Sequence, residues 1–273
     1  MPIGDISLSA SARSNLLSLQ STEKLLGTTQ GRLASGNKVN SALDGATAFF
    51  ASQGFLNRAN DLSGLKDGLG TALQTVKSAS DAITSITSVI TQLQGITNSA
   101  LQTTDTTTRT TLAGQYNSLL SQINGLVTDS VFNGTNLLTS TGITLQVFFN
   151  ATNSTSLTIT GVNVNATGLG VVTAANDFAT SSDIQVAQSL LQTALTTLRT
   201  NSSSFGNNTT VINTRTAFTD NLINTLQQAS DNLKLADVNQ EGANLQALQA
   251  RSSLGIVALG ISGTQAQAIL RLF

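Results

Sequence analysis

Between positions 62 and 100, an apolar residue recurs every three or four positions, and only Thr97 interrupts the series. Spacing of this kind, sustained over many turns, is typical of a coiled-coil seam. At 1.5 Å per residue the segment would extend about 58 Å as one helix, which exceeds the usual length of a globular helix. We therefore predict a helical rod whose seam includes Leu62, Leu65, Leu69, Ile83, Ile86, Ile90 and Leu93.

The same spacing occurs near the start of the chain, where Glu23 and Gln30 are its polar interruptions. Apolar periodicity predicts two further helices, over 112–126 and over 184–236. The one proline of the chain is Pro2, so no proline kinks any of these segments. The first helix is expected to present four leucines to a partner helix: Leu16, Leu19, Leu26 and Leu33.

The last segment, from Gly242 onward, is apolar on two faces, and its charged residues are Arg251 and Arg271. A helix with two apolar faces needs more than one neighbour. We expect one set of residues to pair with the N-terminal leucines: Leu245, Leu248 and Leu259. We expect a second set to contact other copies of the chain: Leu254, Ile261, Ile269, Leu272 and Phe273. Small residues such as Gly255 would let further helices approach closely. The alternative interpretation is an internal core helix.

A short central stretch has a different pattern. Asn133-Gly134 is a turn signal, and residues 143–164 alternate between apolar and polar side chains. This pattern predicts two or three strands joined as hairpins. The predicted fold is therefore mainly α: a long antiparallel helical coiled coil or bundle made of the N- and C-terminal segments, with a small β-hairpin excursion in the middle.

Composition narrows the classes of function. The chain has no histidine and no cysteine, which excludes Ser-His-Asp and Cys-His catalysis, Cys/His zinc sites and disulfides. We expect no catalytic residue, no cofactor and no metal site. The 13 basic and 14 acidic residues nearly balance, which argues against nucleic-acid binding and favours self-association. No apolar run approaches the ~18 residues of a membrane span, so we expect no membrane insertion. The start of the chain lacks the pattern of a cleaved Sec signal.

Four segments resemble sequence blocks of bacterial flagellins, and they occur in the same order. They are 32–44 (RLASGNKVNSALD), 130–138 (SVFNGTNLL), 235–241 (LADVNQE) and 265–273 (QAQAILRLF). The resemblance covers residues 1–138 and 180–273, and it is strongest to the short flagellins of alphaproteobacteria.

The resemblance implies a structural subunit that polymerises into the flagellar filament for swimming. It implies paired terminal helices with a connecting spoke in the inner core (1–57 and 236–273), a helical bundle in the outer tube (58–138 and 180–235) and a β-rich surface excursion (139–179). The implied partners are further copies of the chain, the flagellar type III export apparatus, an export chaperone, and the filament cap and hook-junction proteins. The protein would be extracellular and exported without a cleaved Sec signal.

Two other functions remain open from the sequence. One is a hook–filament junction protein, which shares the terminal pairing, and the other is a secreted helical-bundle adhesin or binding module. The resemblance also bears on innate immunity, because flagellins sensed by the mammalian toll-like receptor carry a QRxREL motif and a glutamate on the next helix. This chain has Thr91–Ile96 (TQLQGI) and Gln115 at those positions, which predicts weak receptor activation.

Overall fold

The computed structural model describes residues 10–270. Long helices form most of this part of the chain, and a single two-stranded hairpin lies between them. The helices are α1 (Ala10–Ser35), α2 (Ala42–Gln102), α3 (Thr106–Asp129), α4 (Ser181–Lys234) and α5 (Val238–Leu270), and the strands are β1 (Thr144–Phe148) and β2 (Ser156–Thr160). A short 3-10 helix, Ala175–Phe178, precedes α4. The mainly α fold with a small hairpin is thus confirmed.

The described residues divide into two units. Those up to Arg58 and those from Thr225 onward form the terminal unit, and Ala59–Asn224 form the middle unit. Helices α1 and α5 pack against each other within the terminal unit. The middle unit contains α3, the hairpin, and the greater parts of α2 and α4.

The seam of α2 lies in the core of the middle unit. Its residues from Leu69 to Leu93 are almost completely buried, Leu62 is 8% exposed, and Leu65 is half-buried. The polar member of the series, Thr97, is fully buried, and its Oγ1 donates to the Gln94 carbonyl at 2.9 Å. The hydroxyl is therefore satisfied within its own helix, which makes a threonine tolerable at a seam position.

The predicted turn at Asn133-Gly134 begins the excursion. Both residues have positive φ (47° and 76°), and Phe132 and Thr135 exchange backbone hydrogen bonds across them. Buried Asn136 then fixes the turn to the end of α3, because its Nδ2 donates to the Val127 carbonyl at 2.7 Å. These contacts give the segment that resembles the flagellin turn a defined structural role.

The hairpin itself is antiparallel, with Leu145 opposite Ile159 and Val147 opposite Leu157. Val147 and Ile159 are buried in the apolar cluster of the middle unit, whereas alternate positions of each strand are exposed. Phe149, directly after β1, lies under the Arg215 guanidinium at 4.8 Å. The hairpin is therefore held in the middle unit by burial of one face, and a cation–π contact joins its end to α4.

Arg109 organises the beginning of α3, and the sequence pattern did not single it out. Its guanidinium is buried and donates to the carbonyls of Ala100, Thr103 and Ala179 and to Ser181 Oγ. These acceptors come from the end of α2, the α2–α3 loop, and the two sides of the boundary where α4 begins. A single side chain thus ties together three segments of the middle unit.

Candidate assembly surface

The leucines that were predicted to meet lie on α1 and on α5. Within α1 the four leucines are half-buried, and so are the three predicted partners in α5: Leu16, Leu19, Leu26, Leu33, Leu245, Leu248 and Leu259. The two helices pack against each other. A two-helix contact covers only one side of each helix, so the remaining apolar side chains of the pair stay accessible to solvent.

Several large apolar side chains of this pair are exposed. Leu254 is 70% exposed and Ile261 is 54% exposed, and both belong to the set predicted to contact other copies. Four more exposed residues accompany them on the same two helices: Leu17, Leu25, Ile256 and Val257. These six residues are called the apolar surface below. Of the other predicted contacts, the side chain of Ile269 and the whole of Leu272 and Phe273 lie outside the described residues.

Gly255 lies inside the pair rather than on its outer side. A Cβ atom built at Gly255 would stand 3.1 Å from Leu19 Cδ1, which is tighter than ordinary van der Waals contact. Gly260 and Gly263, by contrast, have no other described side chain or backbone within 4 Å of such an atom. The absence of a side chain at Gly255 therefore lets α1 pack closely against α5. The sequence analysis had expected the small residues to admit a further helix from outside the pair.

A partly buried ion pair joins the two helices. Arg32 Nη1 lies 3.2 Å from Glu241 Oε1, and the Glu241 residue is only 8% exposed. Nearer the middle of the pair, Ser252 Oγ donates to Glu23 Oε1 at 2.6 Å. Sequence reasoning missed these contacts, because the burial that requires a partner for Glu241 is apparent only in the folded pair.

The two connections next to the pair run side by side. The backbone N–H groups of Lys38 and Val39 donate to the Lys234 carbonyl at 2.7 and 3.3 Å, and that of Ala236 donates to the Gly36 carbonyl at 2.9 Å. Gly36, Lys38, Val39 and Ala236 belong to the two segments that resemble flagellin blocks, and Lys234 directly precedes the second of them. These backbone hydrogen bonds clamp the α1–α2 connection to the α4–α5 connection.

Asp44 completes the first of these segments. Its Oδ2 accepts hydrogen bonds from the N–H groups of Asn40 and Ser41 and from Ser41 Oγ. Hydrogen bonds from the Ser41 backbone and hydroxyl, followed by the Asn40 backbone, lower the pKa of the Asp44 carboxyl. The carboxylate shapes the turn that leads into α2.

Six of the seven predicted seam residues are buried in the middle unit, Leu65 is half-buried, and none of the seven belongs to the apolar surface. Among residues 10–270, no group of three or more acidic side chains is placed to hold a metal ion. Over the same range, no helix combines the length and the apolarity that a membrane span needs.

Comparisons with known proteins give consistent matches over the whole chain. Residues 6–142, about half of the chain, match the family model described as the bacterial flagellin N-terminal helical region. Flagellins FljO and FljN of Caulobacter vibrioides are 29% and 30% identical over the whole of both chains. A flagellin of Brucella melitensis is 29% identical over 99% of both. The crystal structure of Bacillus cereus flagellin has a similar fold, with a TM-score of 0.50 at 14% identity over 56% of this chain and 88% of that one.

Proposed function

This chain belongs to the bacterial flagellin family and is a structural subunit of the extracellular flagellar filament, and from that premise we propose which part of the filament each segment of the chain forms. Residues 1–57 and 236–273 form the inner core of the filament. Residues 58–138 and 180–235 form the surrounding tube, and residues 139–179 form the small β-rich excursion on its outer surface. Two observations support this assignment: α1 and α5 expose apolar side chains, and the middle unit has a well-filled core of its own.

The observation that carries the proposal is the exposure of Leu254 and Ile261 on a helix with few charges. Contiguous exposed apolar side chains usually mark an interaction site. Burying a single leucine or isoleucine contributes about 1.5–3 kcal/mol, and a helical polymer repeats that gain in every subunit. We propose that these two residues, with Ile269, Leu272 and Phe273, contact neighbouring subunits.

The remaining partners follow from the same role. We propose that the chain leaves the cell through the flagellar type III export apparatus, without a cleaved Sec signal. An export chaperone would cover the apolar side of α5 until then, because exposed side chains such as Ile256 and Val257 would otherwise associate in the cytoplasm. At its destination the subunit meets the filament cap at one end of the polymer and the hook-junction proteins at the other.

Substitution of Ile261 tests the proposal directly. Ile261→Asp places a carboxylate where an apolar contact between subunits is expected, and we expect a helical monomer that forms no filaments. Because each 1.4 kcal/mol corresponds to a tenfold change in an equilibrium constant, the critical concentration for polymerisation should rise by more than tenfold. Sedimentation measures this critical concentration, and negative-stain microscopy shows whether filaments are present.

Two controls separate apolarity from added charge. Ile261→Val keeps the apolar contact and should assemble nearly as the unaltered chain does. Gln265→Asp adds the same charge at an exposed polar position of the same helix and should assemble at a concentration closer to the unaltered value than Ile261→Asp. Normal filaments from Ile261→Asp would refute the assigned role of this surface.

A further inference from the structure

The chain contains two Asn-Gly dipeptides, Asn124-Gly125 and Asn133-Gly134. Both asparagines are exposed, and so are both glycines. The first dipeptide lies inside α3, whereas the second forms the turn of positive φ that begins the excursion. The two sites therefore share their residues and their access to water, and they differ in the conformation of the backbone.

An Asn-Gly dipeptide can react with itself in water. Hydroxide removes the proton of the glycine N–H, and the nitrogen then bonds to the asparagine Cγ. The bond from Cγ to the carboxamide nitrogen breaks, and that nitrogen takes a proton from water and leaves as ammonia, which restores the hydroxide. The two groups belong to adjacent residues, so proximity favours the reaction, and glycine has no Cβ to obstruct it. Water opens the resulting succinimide at either carbonyl, which gives aspartate or isoaspartate.

The turn at Asn133-Gly134 leaves the reacting groups out of its own hydrogen bonds. The two backbone hydrogen bonds across the turn, of 3.0 and 2.9 Å, both join Phe132 and Thr135. A Cβ atom built at Gly134 would have open space around it, so the attacking nitrogen is not crowded by distant parts of the chain. Ring closure requires rotation about the Cα–C bond of Asn133, and the turn permits this when those two bonds open. Local openings of this size need far less free energy than global unfolding.

The same groups are held in place at Asn124-Gly125. Gly125 lies in the interior of α3, where each backbone N–H is bonded to the carbonyl four residues earlier. Asn124 Oδ1 accepts a hydrogen bond from the Ala166 N–H at 3.0 Å, so the carboxamide is engaged as well. Ring closure there would unwind a stretch of α3 whose neighbouring side chains, Ile123 and Val127, are buried in the core. The fold therefore protects this dipeptide although it is exposed.

We propose that Asn133 is a site of spontaneous deamidation in the folded subunit and that Asn124 is protected from it. An aspartate at position 133 adds a negative charge to an exposed turn. An isoaspartate also adds a methylene group to the main chain between residues 133 and 134, so Phe132 and Thr135 cannot keep both of their hydrogen bonds. The modification needs water alone, and it loosens the start of the excursion as the protein ages.

Prolonged incubation of the purified full chain at pH 8, followed by digestion and mass spectrometry, measures the deamidation of each asparagine. In the folded chain we expect Asn133 to react at least tenfold faster than Asn124. The same incubation in denaturant is the matched control, because the two dipeptides should then react at rates within threefold of each other. Hydrogen exchange at the Phe132 and Thr135 amides should also accelerate in the incubated folded chain.

Gly134→Ala tests the route of the reaction. Its Cβ stands beside the attacking nitrogen, so the reaction of Asn133 should slow at least tenfold in denaturant, where the conformation of the turn plays no part. An unchanged rate would show direct hydrolysis of the carboxamide and would overturn the inference. Reaction of Asn133 no faster than that of Asn124 in the folded chain would overturn it as well. These measurements do not require polymerisation, so their outcome is independent of the proposed function.

Discussion

Leu19 of α1 packs directly against Gly255 of α5, so that a Cβ at position 255 would lie 3.1 Å from Leu19 Cδ1. A larger side chain there must push the two helices apart, and overpacking of this kind usually destabilises by about 1–3 kcal/mol. We expect Gly255→Leu to lower the melting temperature of the α1–α5 pair and to accelerate hydrogen exchange in both helices.

Gly260→Leu is the control for this prediction. It makes the same change in the same helix at a position with open space around it, and replacing a helical glycine by leucine favours the helix. Its exchange rates should therefore stay the same or decrease. Equal acceleration in both variants would show that α1 and α5 do not pack in this register.

Arg109 supports the middle unit through four acceptors, three of which are backbone carbonyls. Arg109→Leu removes all four hydrogen bonds of a buried guanidinium, and a hydrogen bond from a charged group contributes about 1.5–3 kcal/mol. We expect a loss of about 2–4 kcal/mol in the free energy of unfolding, measured by denaturant titration of the full chain. Arg199→Leu, at an exposed arginine of α4, should change it by less than ~0.5 kcal/mol. Similar losses for both would contradict the assigned role of Arg109.

The difference between α2 and Arg109 shows what the sequence can predict. Burial along a helix repeats with the helical period, so the spacing from Leu62 to Leu93 predicted both the helix and its buried side. Arg109 has no such signature, because its acceptors at Ala100, Thr103 and Ala179 are backbone groups that any residue carries. Only the folded path of the chain brings them together.

Gly255 illustrates a second limit. Its small size was a correct signal of close approach, but the approaching element is the chain's own α1. Which neighbour a small residue faces depends on the register between α1 and α5, and apolar spacing is compatible with several registers. The same limit explains why the Arg32–Glu241 pair was missed: the two residues are 209 positions apart.

Receptor activation is predicted to be weak. Exposed Gln92 and Gln115 present neutral amides where receptor-activating flagellins carry an arginine and a glutamate. Loss of these charges removes charge-assisted hydrogen bonds, which are stronger than neutral ones. A reporter-cell assay with purified subunit should give a weaker response than a motif-bearing flagellin at equal concentration. An equal response would show that the receptor binds this chain through other residues.

Asp105 makes the stability of the middle unit depend on pH in the acidic range. It caps α3, and hydrogen bonds from the Thr108 hydroxyl and backbone N–H lower the pKa of its carboxyl below 3.8. As the pH falls, the Asp105 carboxyl is therefore protonated earlier in the unfolded chain than in the folded one. The stabilisation that the Asp105 carboxylate gives is fully present above pH 3.8 and is lost as the pH falls through the lower pKa of the folded state. Asp105→Asn keeps a good cap without titrating, so its stability should decline less between pH 4 and 2. Asp61→Asn controls for the change in net charge, and an acid response of Asp105→Asn identical to that of the unaltered chain would contradict the prediction.

Tyr116 should make the stability of the middle unit fall as the pH rises into the alkaline range. Its ring is buried in edge-to-face contact with Phe178, with centroids 5.3 Å apart, and its hydroxyl has no partner among residues 10–270. Burial raises the pKa of Tyr116 from 10.0 to about 12. The resulting stabilisation is complete below pH 10 and is lost as the pH rises from 10 towards 12, because the unfolded chain ionises first.

Replacing this tyrosine by phenylalanine separates the ring from the hydroxyl. Tyr116→Phe keeps the contact with Phe178 and removes an unsatisfied buried group, so we expect about 1 kcal/mol of added stability at pH 7. Its advantage over the unaltered chain should grow above pH 10, since phenylalanine has no proton to lose. Tyr116→Leu gives up the aromatic contact and should be less stable than both. Denaturant titrations of the three chains at pH 7 and pH 11 measure these differences, and an unaltered chain more stable than Tyr116→Phe at both values would mean that the hydroxyl is bonded in solution.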